Sequence, residues 1–454
     1  MTSREIDIEA LLDELSLRGV PLWVTAAMAA VLIADGFDII LLGYVAPAVA
    51  ADFGLSNAGV GAVLTASLIG VAIGGFAGGY LGDRYGRRTL VSTSLLVFGL
   101  ATLVSALAED PVLFSAARLV AGLGLGAATP NAAALLSEML PRAWRNQIIT
   151  VAYALSTIGT TFAGLLAREV LPDWGWRGLF FVGAALPIAI CIVFMPFVPE
   201  SPKYLATKPD GGRRAAAALN RLLGQARLDG SERFHVAGAG VRRGIADLFK
   251  AEYCRDTVSL WVLIFLTLFA WVALGNWGTI VITSLGHSLE DAVTTMVGYN
   301  LAGLAGAVTT ALLLKRFGSR RLFVLHAVSA VVVSVLLAWL VRNGVTSLAV
   351  LAGYLVVCGF ALTALLQTSY PLAASVYPTD IRATGIGSAF GFGRLGAVSS
   401  SAVTAGLIAL GGPPLFFIGV ASAATGIAGA VLSLRRHISA EPASKRSHAS
   451  GIVT

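Results

Sequence analysis

The stretch Leu32-Ile33-Ala34-Asp35-Gly36-Phe37-Asp38-Ile39-Ile40-Leu41-Leu42-Gly43-Tyr44-Val45-Ala46-Pro47 sets two carboxylates inside an otherwise apolar run. An acid at the centre of a bilayer costs roughly 2.5 to 3.5 kcal/mol on insertion scales, so a membrane helix keeps one where it faces a polar cavity or a partner. Asp35 and Asp38 are three residues apart, which on a helix puts them on nearly one face. Gly36 between them admits a neighbouring helix or a ligand, and Pro47 marks a bend or an end. The pair reads as a proton carrier or substrate contact, with a buried structural bridge to a cation on another helix as the alternative.

The rest of the chain explains why such a helix exists. Of 454 residues, 56% are hydrophobic and 13% charged, which is too apolar for a soluble globular protein and fits a polytopic membrane protein. Runs long enough to cross a hydrocarbon core of roughly 30 Å recur twelve times. They cover residues 22–48, 58–81, 89–108, 111–139, 147–171, 177–197, 258–284, 291–314, 322–341, 345–374, 384–410 and 413–434. With both termini inside, 27 of the 32 basic residues fall in cytoplasmic segments, three (Arg168, Arg177, Arg342) in outer loops, and two (Arg118, Arg394) within spans. That asymmetry orients the chain and accounts for the net charge of +7 without nucleic-acid binding. The expected organisation is a cytoplasmic amphipathic N-terminus (1–19), a six-helix bundle (20–197), a cytoplasmic central loop (198–257), a second six-helix bundle (258–435) and a cytoplasmic tail (436–454). The N-terminus lacks the basic start of a signal peptide. Cys191, Cys254 and Cys358 imply no disulfide or metal framework. An inner or plasma membrane suits this pattern.

Beyond the first span, Gly70, Gly74, Gly75, Gly78 and Gly79 give the second a small-residue face for close helix contact. It runs into Gly79-Tyr80-Leu81-Gly82-Asp83-Arg84-Tyr85-Gly86-Arg87-Arg88, a turn with one acid and three bases. The fourth span holds Arg118, then Gly122, Gly124 and Gly126, then Pro130, Asn131 and Glu138. An arginine at that depth pairs with a carboxylate, a ligand anion or carbonyls. Asn131 suits cavity lining or a helix–helix hydrogen bond. Glu138, near the basic loops, suits a proton relay or gate pairing.

The second half repeats the first. Leu314-Lys315-Arg316-Phe317-Gly318-Ser319-Arg320-Arg321 echoes the Asp83 loop, and Pro378 and Arg382 echo Pro141 and Arg145, at offsets of 232 (315 − 83) and 237 (378 − 141). Two related bundles suit a transporter with its substrate site near mid-membrane. Lys315 replaces the acid of the first loop, so the repeat departs from symmetry there. Candidate substrate contacts in this half are Trp271, Asn276, Tyr299, Gln367, Tyr370 and the second deep arginine, Arg394; each aromatic has ordinary packing as its alternative. His287 and His326 read as interfacial residues near helix ends.

The Asp83 loop resembles the G-x-x-x-D-R-x-G-R-R motif of the major facilitator superfamily. The resemblance implies an all-α membrane fold of twelve helices in two pseudo-symmetric bundles, working by alternating access. It also implies a gate or conformational switch at Asp83, Arg84, Gly86, Arg87 and Arg88, with Arg145 and Arg382 as the loop arginines of the two halves. Four stretches narrow it further: Asp35 to Asp38, the Asp83 loop, Arg118 through Glu138, and Tyr377 through Arg382 and Gly385 to Arg394. Together they resemble the aromatic acid:H+ symporter family, which implies proton-coupled uptake of aromatic carboxylates such as hydroxybenzoates. Asp35, Asp38 and Glu138 are then the proton-coupling candidates, and Arg118, Asn131 and Arg394 join the substrate contacts. No cofactor, metal, nucleic acid or obligate protein partner is implied; protons are the coupling ion and the lipid bilayer is the setting. Symport of another organic acid or a sugar, suggested by Pro199-Glu200-Ser201-Pro202-Lys203, is the rival reading. Proton-antiport export is disfavoured because the fifth span lacks the Gly-Pro pair usual in drug antiporters. An enzyme is disfavoured because no nucleophile, base and oxyanion set or metal cluster appears.

Overall fold

The computed structural model describes residues 5–208, 211–230, 232–235, 245–378 and 381–439. Residues 1–4, the expected tail beyond 439 and the Lys315 side chain lie outside the described parts. The order of elements is β1 (Glu5–Asp7), α1 (Ile8–Asp13), α2 (Val20–Phe53), α3 (Asn57–Tyr85), α4 (Arg87–Leu107), α5 (Pro111–Met139), α6 (Arg142–Val193), α7 (Pro202–Ala206), α8 (Gly211–Leu223), β2 (Arg233–His235), α9 (Cys254–Ser284), α10 (Leu289–Phe317), α11 (Ser319–Arg342), α12 (Leu348–Val376) and α13 (Arg382–Ser433). Among the described residues, ten helices are long and apolar enough to cross a membrane. Two of these, α6 and α13, have 52 residues each and are broken by non-helical glycines, at Gly175 and at Gly411 and Gly412. At 1.5 Å per residue, 52 residues reach about 78 Å, more than twice the core thickness of roughly 30 Å.

Two compact units form, Met1–Gly54 with Ala62–Val241, and Leu55–Gly61 with Arg242–Thr454. In the first, α2 packs on α6 and α3 on α5 through glycines. A Cβ at Gly36 would overlap the Ser156 carbonyl, and one at Gly159 the Ile33 carbonyl; on α3, Gly70 and Gly74 meet the backbone of Leu119 and Leu123. Gly36 therefore admits a helix. In the second unit the pairs are α9 with α13 and α10 with α12, where Gly396 meets the Phe265 carbonyl and Gly359 the Tyr299 carbonyl. Small residues at such crossings let backbones approach, the usual device where lipid removes the hydrophobic drive between helices.

Three pairs of landmarks repeat between the units. Gly86 (φ 102°, ψ 146°) and Gly318 (φ 75°, ψ 160°) form the turns before α4 and α11, 232 residues apart (318 − 86). Both sit where L side chains are strained. Arg145 Nε donates to the Leu140 carbonyl and Arg382 Nε to the Tyr377 carbonyl, each over five residues and each at 3.3 Å. Gly175 (φ 61°, ψ −170°) and Gly412 (φ 65°, ψ −160°) break the two long helices 237 residues apart (412 − 175).

The structure differs from the sequence reading at three places. Pro47 does not end its helix; α2 continues to Phe53 and stops at the left-handed Gly54 (φ 63°, ψ 34°). Neighbouring helices tolerate the backbone group freed by an intramembrane proline. The acidic N-terminus is mostly not helix. Asp7 caps the six-residue α1 by accepting from the Glu9 N–H at 2.9 Å, while β1 pairs in parallel with β2 of the central connection. His326 is buried and lies 2.9 Å from the Thr310 hydroxyl, so it bridges α11 to α10 and is not interfacial.

Candidate functional site

The first unit places the two aspartates of α2 against α5. Asp38 Oδ2 lies 2.6 Å from Arg118 Nη2, with side-chain exposures of 2% and 1%. Ser67 Oγ is 3.4 Å from the same nitrogen, and the guanidinium stands over the Phe180 ring at 5.4 Å. Asp38 Oδ1 and Arg118 Nε and Nη1 have no hydrogen-bond partner among the described residues. A buried ion pair owes its tolerance to mutual attraction, and removing one partner strands the other. Asp35 is half-buried, 2.9 Å from the Thr129 hydroxyl.

Glu138 is elsewhere. Twenty residues beyond Arg118 on α5, it is about 30 Å along the helix at 1.5 Å per residue. There it accepts from Arg87 Nε at 3.1 Å, while Arg87 Nη2 meets Asp83 at 2.6 Å and Nη1 the Gly82 carbonyl at 3.0 Å. The candidate coupling acids are thus not one group. Arg88 donates to the Met195 carbonyl, and the backbone N–H groups of Arg88 and Thr89 point at Glu200, a carboxylate at the start of α4. That arrangement suits a helix N-terminus, where N–H groups lack partners and the dipole favours an anion. A Cβ at Gly86 would overlap this carboxylate. The Arg84 carbonyl accepts from the Tyr204 hydroxyl at 2.9 Å and from Lys208 Nζ at 3.1 Å. Asn131, grouped with the substrate contacts on sequence, donates from Nδ2 to the Gly78 and Ala127 carbonyls at 2.9 and 2.8 Å and so joins α5 to α3.

At the same end of this unit, Glu9 binds three cations: Arg145 Nη2 at 2.9 Å, Arg142 Nε at 3.2 Å, and Lys203 Nζ. Burial alone would raise the Glu9 carboxyl, but hydrogen bonds and charge from Lys203 and Arg145 outweigh it and hold its pKa at about 2. Asp13 accepts from the Arg142 N–H at 2.8 Å.

In the second unit, Trp271 donates to Thr363 Oγ1 at 3.1 Å and accepts at its carbonyl from the Tyr299 hydroxyl at 3.4 Å. Asn276 is buried, its Oδ1 without a donor among the described residues. Half-buried Tyr370 stacks on Phe390, centroids 3.7 Å apart at 13°, and Gln367 lies one turn before it on α12. Arg394 is half-buried with no hydrogen bond or ion pair among the described residues. Arg382 holds the Tyr377 carbonyl.

Ser67, Thr129, Phe180, Glu9, Glu200, Thr363 and Phe390 escaped the sequence reading as site residues. Phe390, four residues before Arg394, carried a legible signal, since that spacing shares a helix face. The others become visible through tertiary contacts.

The Major Facilitator Superfamily profile matches residues 28–401. The chain belongs to the Major Facilitator Superfamily. It is 30% identical over 409 residues to the 4-hydroxybenzoate transporter PcaK of Pseudomonas aeruginosa, covering 89% of this chain and 90% of that one. It is 31% identical over 370 residues to the gentisate transporter of Corynebacterium glutamicum, covering 80% and 76%. The D-xylose-proton symporter crystal structure shares its fold, with a TM-score of 0.73 at 18% identity over 92% of this chain and 98% of that one. As a superfamily member of the aromatic acid:H+ symporter type, the protein is a multi-pass membrane transporter, not an enzyme.

Proposed function

We propose that this facilitator imports a small aromatic carboxylate together with protons, with Asp38 as the coupling acid. The Asp38–Arg118 pair carries the reading: a carboxylate 2.6 Å from an arginine, both withdrawn from solvent, changes its charge and its partner in one protonation step. The relatives named for 4-hydroxybenzoate and gentisate supply the substrate class. One monoanion with one proton moves no net charge, and the pH gradient drives it; a second proton would add about 2.3 kcal/mol per 100 mV of membrane potential. The basic residues support an orientation with both termini cytoplasmic in an inner or plasma membrane. Counting each broken 52-residue helix as two crossings makes twelve spans.

Proteoliposomes with an acidic exterior test the proposal when offered labelled 4-hydroxybenzoate, gentisate, benzoate and other ring acids. Uphill accumulation of at least one, abolished by collapsing the pH gradient, is expected. Uptake of none of them, or accumulation indifferent to the gradient, contradicts it.

A further inference from the structure

We propose that Arg394, rather than Arg118, receives the substrate carboxylate, with the Tyr370–Phe390 stack as the platform beside it for the aromatic ring. The assignment rests on the function proposed above and divides labour between the two deep arginines. Arg118 is 1% exposed, and Asp38 already balances its charge. Arg394 is half-buried and has no protein anion among the described residues. It lies twelve residues into α13 and seventeen before the break at Gly411. Those intervals correspond to about 18 Å and 26 Å of helix, beyond the reach of a side chain that snorkels to an interface. An arginine kept at such depth faces a polar cavity or an anion, and its planar fork matches a carboxylate in bidentate fashion.

The surroundings supply the ring site. Phe392 stacks on Trp261, and Gly393 and Gly396 pack on Ile264 and Phe265, so these residues turn toward α9. At about 100° per residue, Phe390 and Arg394 share the largely opposite side of α13. Phe390 lies flat against Tyr370, and both rings are half-buried. A ring with an attached carboxylate fits a cation one helical turn from a flat aromatic surface, by offset stacking and a charge-assisted bond.

The test measures equilibrium binding of 4-hydroxybenzoate and of 4-hydroxybenzamide, which keeps the ring and loses the charge, to purified full-length protein at neutral pH. Wild type is expected to prefer the acid. Arg394→Gln should reduce that preference by about tenfold or more, Arg394→Lys severalfold, because the ammonium lacks the fork. Phe390→Leu should weaken acid and amide together and leave their ratio unchanged. A wild-type preference retained in Arg394→Gln overturns the assignment while leaving the transport proposal standing. Should that variant not be recoverable in folded form, an unchanged ratio in Arg394→Lys overturns it equally. A wild type that binds no aromatic carboxylate overturns the proposed function and, with it, this assignment.

Discussion

Arg118 and Arg394 are both arginines deep in membrane helices, and their surroundings are opposite. Arg118 is sealed against Asp38, Ser67 and Phe180 in the first unit, whereas Arg394 in the second is half-open and has no anionic partner among the described residues. The same side chain therefore answers two needs. In the proposed function, the arginine whose counter-charge the chain supplies belongs to the proton-coupling pair, and the arginine without one belongs to the substrate.

Stability measurements can break that contrast. The largest effect is expected for Arg118→Leu, which leaves Asp38 buried without a partner and should cost roughly 3 to 5 kcal/mol. The double variant Asp38→Asn with Arg118→Leu should recover much of the loss, as a thermal double-mutant cycle in detergent would register. Equal and additive losses would show that the pair is not coupled.

Next comes Glu9→Gln, expected to cost on the order of 2 kcal/mol because three cations lose their shared carboxylate, in a setting partly screened by solvent. Its sign with pH is definite. With a folded pKa of about 2 against an ordinary value of 4.5, the Glu9 contribution is complete above about pH 4.5 and lost as pH falls toward 2. Melting curves of wild type and Glu9→Gln should therefore converge on acidification; a constant gap would refute the carboxylate's role.

Smaller still is the comparison between the repeats. Arg145→Lys and Arg382→Lys each remove an arginine that holds a helix-end carbonyl, but Arg145 also binds Glu9. The Arg145 variant should lose about 1 kcal/mol more than the Arg382 variant. The smallest expected change is in Arg394→Leu, whose melting temperature should match or exceed that of wild type, since no protein partner among the described residues is lost. A large loss there would mean that Arg394 serves the fold.

Much of the architecture was legible because it is written in local chemistry. Apolar runs announce helices, the turn glycines Gly86 and Gly318 recur at a fixed offset, and Asp35 and Asp38 stand out against their neighbours. The pairing of Asp38 with Arg118 was only an open alternative, because 80 residues separate them and their contact depends on how α2 and α5 pack. Packing also decides Asn131: its amide joins α5 to α3 at an interface narrowed by glycines. Glu9 looked like one acid among several on an amphipathic strip. Its three cations come from segments more than 130 residues away, as the separations to Arg142 and Lys203 show. Of the two readings of Pro47, a bend or an end, the end fails because α2 is packed among other helices, where a proline inside a helix is tolerated.

The most direct test of the account is transport by Asp38→Asn in proteoliposomes, measured both as exchange of labelled 4-hydroxybenzoate at equal pH and as accumulation against a gradient with an acidic exterior. The account predicts that exchange persists while pH-driven accumulation is lost. Accumulation that still follows the pH gradient would contradict Asp38 as the coupling acid.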